Sequence, residues 1–222
     1  MTFVETLTKN LINQGNPDYA LQMKAYLRGQ FEFFGIKTPI RRSILNETSK
    51  LFDKDLKENF RTITLNLLNQ PQRELHHCAI EIFEKYARKS YTIKDINIIE
   101  TFIITNSWWD TVDFIAKQIL GAYLLQYPEA TKTIIEKYSL TKNMWLNRSS
   151  ILFQLGYKNK TDHALLFKQC LRFSESELFF IQKAIGWSLR EYGKTNPKSV
   201  LNFVNSTSLK PLSKKEAIRN IV

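Results

Sequence analysis

Breaks in this chain fall only where helices would end. All six prolines, Pro17, Pro39, Pro71, Pro128, Pro197 and Pro211, lie between segments with apolar residues at helical spacing, and there are only 7 glycines. Proline fixes φ and lacks an amide donor, so a helix accepts it in the first turn and little further along. Asn16-Pro17, Thr38-Pro39 and Asn196-Pro197 each read as a capping residue followed by proline at the first helical position. Ser107-x-x-Asp110 and Ser213-x-x-Glu216 read as capping boxes, the first with Asp in place of Glu. Strand-like alternation is absent. The pattern predicts an all-α chain of roughly a dozen helices.

A repeat runs through the helical segments. Tyr86, Tyr123, Tyr157 and Tyr192 close successive segments at separations of 37, 34 and 35 residues. The stretches Glu74 to Tyr86, Trp145 to Tyr157 and Phe180 to Tyr192 have one length, with a small residue at the fifth position in each: Cys78, Ser149 and Ala184. Such a period in helical sequence predicts a solenoid of antiparallel helix pairs, with a concave face that suits a duplex. At 222 residues, the chain is expected to be one domain over 1–222.

Charge sharpens the choice of partner. The formal net charge is +11, and residues 114–222 alone carry 17 basic and 7 acidic side chains. A basic second half favours a polyanion, most simply nucleic acid, over the plainer alternative that charge only confers solubility. Cys78 and Cys170 make no disulfide framework and suggest a reducing compartment. No apolar run approaches the roughly 18 residues of a membrane span. With Glu5 inside the first apolar stretch and no basic start, the N-terminus does not read as a signal peptide, so a cytoplasmic location is expected.

The segment Ser107-Trp108-Trp109-Asp110-Thr111-Val112-Asp113 is the strongest candidate for a site. On a helix, Trp108, Val112, Ile115 and Ile119 form the stripe a core would take, while Trp109 and Asp113 stack one turn apart on another face. An aromatic plate beside a carboxylate outside the core needs a reason. The competing reading pairs Asp113 with Lys117 at i+4. Asp110 reads as part of a helix cap. Arg148 lies in a mostly apolar segment, either as a structural arginine pairing an acid or as a bidentate clamp for an anion. Trp187 shares a helical face with Lys183 and Glu191, either as a second exposed aromatic or as core. His76-His77-Cys78 lacks metal-ligand spacing, and phosphate-loop, nucleophile-elbow and dinucleotide motifs are absent, so no metal and no other cofactor is expected.

Taken together, these residues resemble the AlkD-type DNA alkylation-repair glycosylases, which are built from HEAT-like helical repeats. Ser107 to Asp113 is similar to that family's central motif. Phe34-Gly35-Ile36-Lys37-Thr38-Pro39-Ile40-Arg41-Arg42 is similar to its N-terminal Gly-x-x-x-Pro-x-x-Arg signature. Trp145 to Tyr157 and Phe179 to Pro197 also match, so the resemblance covers nearly the whole chain.

The resemblance implies a monofunctional glycosylase that hydrolyses the N-glycosidic bond of cationic N3- and N7-alkylpurines in duplex DNA, without taking the base into a pocket as other glycosylases do. It implies Asp113 as the catalytic carboxylate, Trp109 and Trp187 as aromatic walls, and Arg148 as a phosphate contact. Lys183 and Arg190 would assist on the backbone. Tyr26, Arg28, Lys37 and Arg41, in the Asn16–Arg42 stretch, would serve DNA binding through a helix that inactive relatives lack. The expected partner is alkylated double-stranded DNA, met by a monomer with no membrane association. The alternative is a non-catalytic paralogue that binds distorted duplex.

Overall fold

The computed structural model describes residues 1–219. Within them the chain is all-helical, as expected; a single parallel bridge between Glu32 and Gln72 is the one strand-like pairing among the described residues. The chain divides into two compact units, Met1–Thr92 and Ile93–Val222.

The first unit holds α1 (Phe3–Asn13), α2 (Pro17–Tyr26), α3 (Thr38–Leu51), α4 (Asp53–Leu68) and α5 (Arg73–Ala87). Phe3, Leu7 and Leu11 are spaced i, i+4 and i+8 and are fully buried, so α1 turns one apolar stripe inward onto α3 and α4. α4 and α5 pack along each other, with Phe60 and Phe83 5.7 Å apart at ring centroids. α2 differs from its neighbours in having no buried residue.

The Gly-x-x-x-Pro-x-x-Arg signature begins in the loop before α3 and runs into that helix, and its glycine has a structural role. The Glu74 carboxylate accepts the amides of Phe34, Gly35 and Ile36 at 3.1, 2.9 and 3.1 Å. Gly35 has φ of 83°, and a Cβ there would stand 2.0 Å from the Asn16 carbonyl oxygen. Only glycine fits that left-handed position against the start of α2.

The second unit holds α6 (Asp95–Ile104), α7 (Trp109–Phe114), α8 (Gly121–Gln126), α9 (Thr131–Leu140), α10 (Met144–Leu152), α11 (His163–Arg172), α12 (Phe179–Gly193), α13 (Pro197–Ser206) and α14 (Pro211–Ile218). α7 and α8 are joined by a π-helical turn, Ile115–Leu120. Ile181, Ala184, Ile185 and Leu189 bury the stripe of α12 against Ile151, Val204 and Ala217. Each of the isoleucine, leucine and valine side chains contributes about 1.5–3 kcal/mol relative to exposure. α10 packs against α9, α12, α6 and α7, and every residue from Leu146 to Leu152 is buried. Three of the repeat tyrosines tie elements of this unit together. Tyr123 donates to the Ile93 carbonyl at 3.1 Å, Tyr157 donates to the Gly121 carbonyl at 2.6 Å, and Tyr192 stacks on His163.

Three of the five expected caps differ. Asn16 and Asn196 cap as read, accepting the amides of Tyr19 and Ser199. The start of α3 shifts by one residue: Lys37 is its N-cap, without a side-chain hydrogen bond, and Pro39 is the second helical residue. Neither serine box forms. Ser107 Oγ donates back to the Ile103 carbonyl, so Trp108 takes the N-cap position of α7. Ser213 lies inside α14 and donates to the Gln182 carbonyl on α12. A box that does form, Thr2 with Glu5, starts α1.

Candidate active site

α7 turns Asp113 toward α10. Val112, Ile115 and Ile119 are fully buried, as the stripe required, and Asp113 leaves the helix one residue later on the adjoining face. Its carboxylate meets Arg148 rather than Lys117. Oδ1 accepts from Nε at 2.7 Å and Oδ2 accepts from Nη2 at 2.8 Å. The third edge of the guanidinium donates from Nη1 to the Phe180 carbonyl. Side-chain exposures are 5% for Arg148 and 15% for Asp113, so the carboxylate is the more accessible of the two. Of the two readings of Arg148, the pairing with an acid is the one the fold forms. α10 is buried all round, and an arginine there has to find its anion inside the protein. Burial pushes the Asp113 carboxyl above its ordinary pKa, and the two Arg148 hydrogen bonds oppose that rise.

A cleft of about 260 Å³ opens over this pair, lined by Trp109, Asp113, Arg148, Phe179, Phe180, Lys183, Trp187, Arg190 and Glu216. α7 supplies Trp109, and α12 supplies Trp187 and both cations. Trp108 does not occupy the helical stripe expected of it. As an extended N-cap residue, with φ of −156°, it stays partly exposed, its ring 5.8 Å from Trp145 and 5.5 Å from Phe180. Asp110 sits in the first turn of α7, where a carboxylate favours the helix dipole, but it caps nothing through a serine box.

Trp109, Asp113, Arg148, Lys183, Trp187 and Arg190 thus come together from the list of expected residues. Tyr26, Arg28 and Lys37 belong to the first unit and line no part of this cleft. Tyr26 closes α2 at 72% exposure, Arg28 follows in the left-handed region with φ of 57°, and Lys37 places Nζ 4.5 Å over the Tyr19 ring. Arg41 is likewise engaged inside the fold. It is 3% exposed and donates from Nη1 and Nη2 to the two Glu81 oxygens at 2.9 Å each. Burial works against the Glu81 charge, but Arg41 and Arg42 outweigh it and hold the carboxyl below its usual range. Buried in that pair, Arg41 offers nothing to a phosphate.

Several lining residues carried no sequence signal that was read as a site. Phe179 is 57% exposed and Phe180 is half-buried, an aromatic pair at the start of α12. Glu216, a capping acid by sequence pattern, instead bonds Lys183 and Arg190. Beyond Trp187, a polar basin of about 400 Å³ is bounded by Arg190, Glu191, Lys194 and Arg219. Among the described residues no group of three His, Cys, Asp or Glu side chains is placed to hold a metal ion. No helix among them is long and apolar enough to cross a membrane.

Comparison with known proteins bears on what such a cleft serves. The model of the DNA alkylation repair enzyme family matches residues 7–221. The chain belongs to that family. A solved structure described as a predicted DNA alkylation repair enzyme from Enterococcus faecalis is similar to it, at 30% sequence identity and a TM-score of 0.84, covering 93% of this chain and 96% of that one. No protein among those with curated descriptions matches the chain. Family membership makes the chain an enzyme of DNA alkylation repair with DNA as its substrate.

Proposed function

We propose that the chain is a monofunctional DNA glycosylase that hydrolyses the N-glycosidic bond of cationic N3- and N7-alkylpurines in duplex DNA, working as a monomer with residues 1–222 as one functional domain. The observation that carries this reading is the Asp113 carboxylate, aimed by two hydrogen bonds from a buried arginine into a cleft walled by Trp109 and Trp187.

Cleaving a glycosidic bond builds positive charge on the sugar, and a fixed carboxylate stabilises it without reorganising at the moment of reaction. A cationic alkylpurine takes the bonding electron pair and leaves neutral, so it needs no proton from a general acid. Water adds to the sugar cation at C1′ and gives up a proton to solvent, with Asp113 orienting that water. Trp109 and Trp187 add cation–π attraction of about 1–2 kcal/mol each when desolvated. That attraction grows as the sugar becomes an oxocarbenium ion, so it favours the transition state over a neutral nucleoside. Selection then follows from charge, which suits a base left in the duplex.

The test is release of 7-methylguanine from methylated duplex DNA by the purified chain. Wild type is expected to release it, and Asp113→Asn to lose about 2–4 kcal/mol of barrier lowering, roughly 30- to 1,000-fold in rate. Trp109→Ala and Trp187→Ala are also expected to slow release. No release by wild type, or undiminished release by Asp113→Asn, rejects the reading. Binding of undamaged duplex without excision would leave the non-catalytic paralogue.

A further inference from the structure

Lys183, Trp187 and Arg190 are spaced i, i+4 and i+7 on α12, so the tryptophan stands between two cations on the face that lines the cleft. Glu216, from α14, reaches both cations. One carboxylate oxygen accepts from Lys183 Nζ at 2.9 Å and the other from Arg190 Nη1 at 2.7 Å. With one oxygen for each, the carboxylate sets the distance between the two cations. Side-chain exposure falls from 36% at Lys183 to 21% at Arg190 and 12% at Glu216, so the acid lies beneath the cations it holds. Its backbone is pinned as well. A Cβ on Gly186 would come within 2.4 Å of Glu216 Cβ, and Ser213 ties the same face of α14 to the Gln182 carbonyl at 3.1 Å.

An acid in a cleft that receives a polyanion lowers the local positive charge and opposes binding. Its place there calls for a role other than affinity. A general-acid role is closed to it, because hydrogen bonds from Lys183 and then Arg190 hold the Glu216 carboxyl below its usual range, leaving no proton to donate near neutrality. Lys183 and Arg190 each retain further N–H donors beyond the bond to Glu216.

We propose that Glu216 is a positioning residue, holding Lys183 and Arg190 on either side of Trp187 so that backbone phosphates bound by the two cations seat the damaged nucleotide's sugar between Trp187 and Asp113. The excision arm of this inference rests on the glycosylase reading; the binding arm rests on the Lys183–Glu216–Arg190 geometry alone.

Glu216→Gln separates position from charge. It removes one negative charge, so undamaged duplex is expected to bind severalfold tighter, with a log–log salt slope steeper by up to about 0.9. Excision at saturating enzyme is expected to fall by at least about tenfold, since a sugar misplaced by a fraction of an ångström loses rate steeply. Glu216→Asp keeps the charge and is expected to restore the wild-type slope and part of the rate. Wild-type excision by Glu216→Gln would overturn the proposal, as would weaker duplex binding together with a lower Tm, which is the mark of a purely structural acid. A wild type that binds duplex and excises nothing rejects the glycosylase reading instead, and the affinity and salt slope of Glu216→Gln then decide on Glu216. Should Glu216→Gln fail to fold, Lys183→Met and Arg190→Met are each expected to flatten the slope and slow excision at saturation. An unchanged slope and rate in both would overturn the proposal.

Discussion

Arg148 commits all three guanidinium nitrogens to two partners, Asp113 and the Phe180 carbonyl. Removing one member of a buried ion pair leaves the other charge uncompensated, at a cost of about 3–5 kcal/mol. Arg148→Gln is therefore expected to lower Tm clearly, measured by thermal unfolding. It also carries a signed expectation in pH. In the proposed mechanism Asp113 works as the carboxylate, so activity is expected to be lost as pH falls through its folded pKa, which burial raises above the ordinary value of about 3.9. Arg148 opposes that rise. Removing it is expected to move the acid limb of kcat/KM to higher pH, and an acid limb that stays put or moves down would contradict the assigned pairing.

Gly186 tests the contact between elements that the cleft depends on. Glycine inside a helix ordinarily costs about 0.5–1 kcal/mol relative to alanine, so local propensity alone makes Gly186→Ala stabilising. Here α14 lies so close that the new Cβ would stand 2.4 Å from Glu216 Cβ and 2.9 Å from the Ser213 carbonyl oxygen. Overpacking of this kind costs about 1–3 kcal/mol, so Gly186→Ala is expected to lower Tm, with slower excision as Glu216 is displaced. A raised Tm would mean that α14 yields and does not hold the cleft. α7 and its π-helical continuation set a second contact. The Tyr157 hydroxyl donates to the Gly121 carbonyl where α8 begins, so the helix that carries Asp113 is anchored beyond the π turn. Such turns recur at functional sites because they shift the register of a helix face locally.

For the whole molecule, charge predicts how DNA is held. The net charge of +11 lies mostly in residues 114–222, the region that also supplies seven of the nine residues lining the cleft. Cations that neutralise phosphates release condensed counterions, so duplex affinity is expected to fall linearly in log–log form with salt, by about 0.9 per phosphate contacted. Titration of labelled duplex between low and physiological salt checks this, and a flat dependence would point away from DNA as the substrate. Arg41 and Arg148 do not enter that count, because each is neutralised by a carboxylate inside the fold.

The amino-acid sequence by itself determined the helical class, the Asn16 and Asn196 caps and the buried stripe Val112–Ile115–Ile119, because each depends on neighbours within about a turn. It also marked Trp109 and Asp113 as a pair apart from that stripe. The serine boxes at Ser107 and Ser213 misled because a capping bond has competitors: at Ser107 the Ile103 carbonyl one turn back won, and at Ser213 the carbonyl of another helix. Only the tertiary structure decided what the arginines and Glu216 do. Asp113 and Arg148 are 35 residues apart, and Arg190 and Glu216 are 26 apart. Which charge meets which over such separations depends on how helices pack, and burial then leaves each partner no alternative.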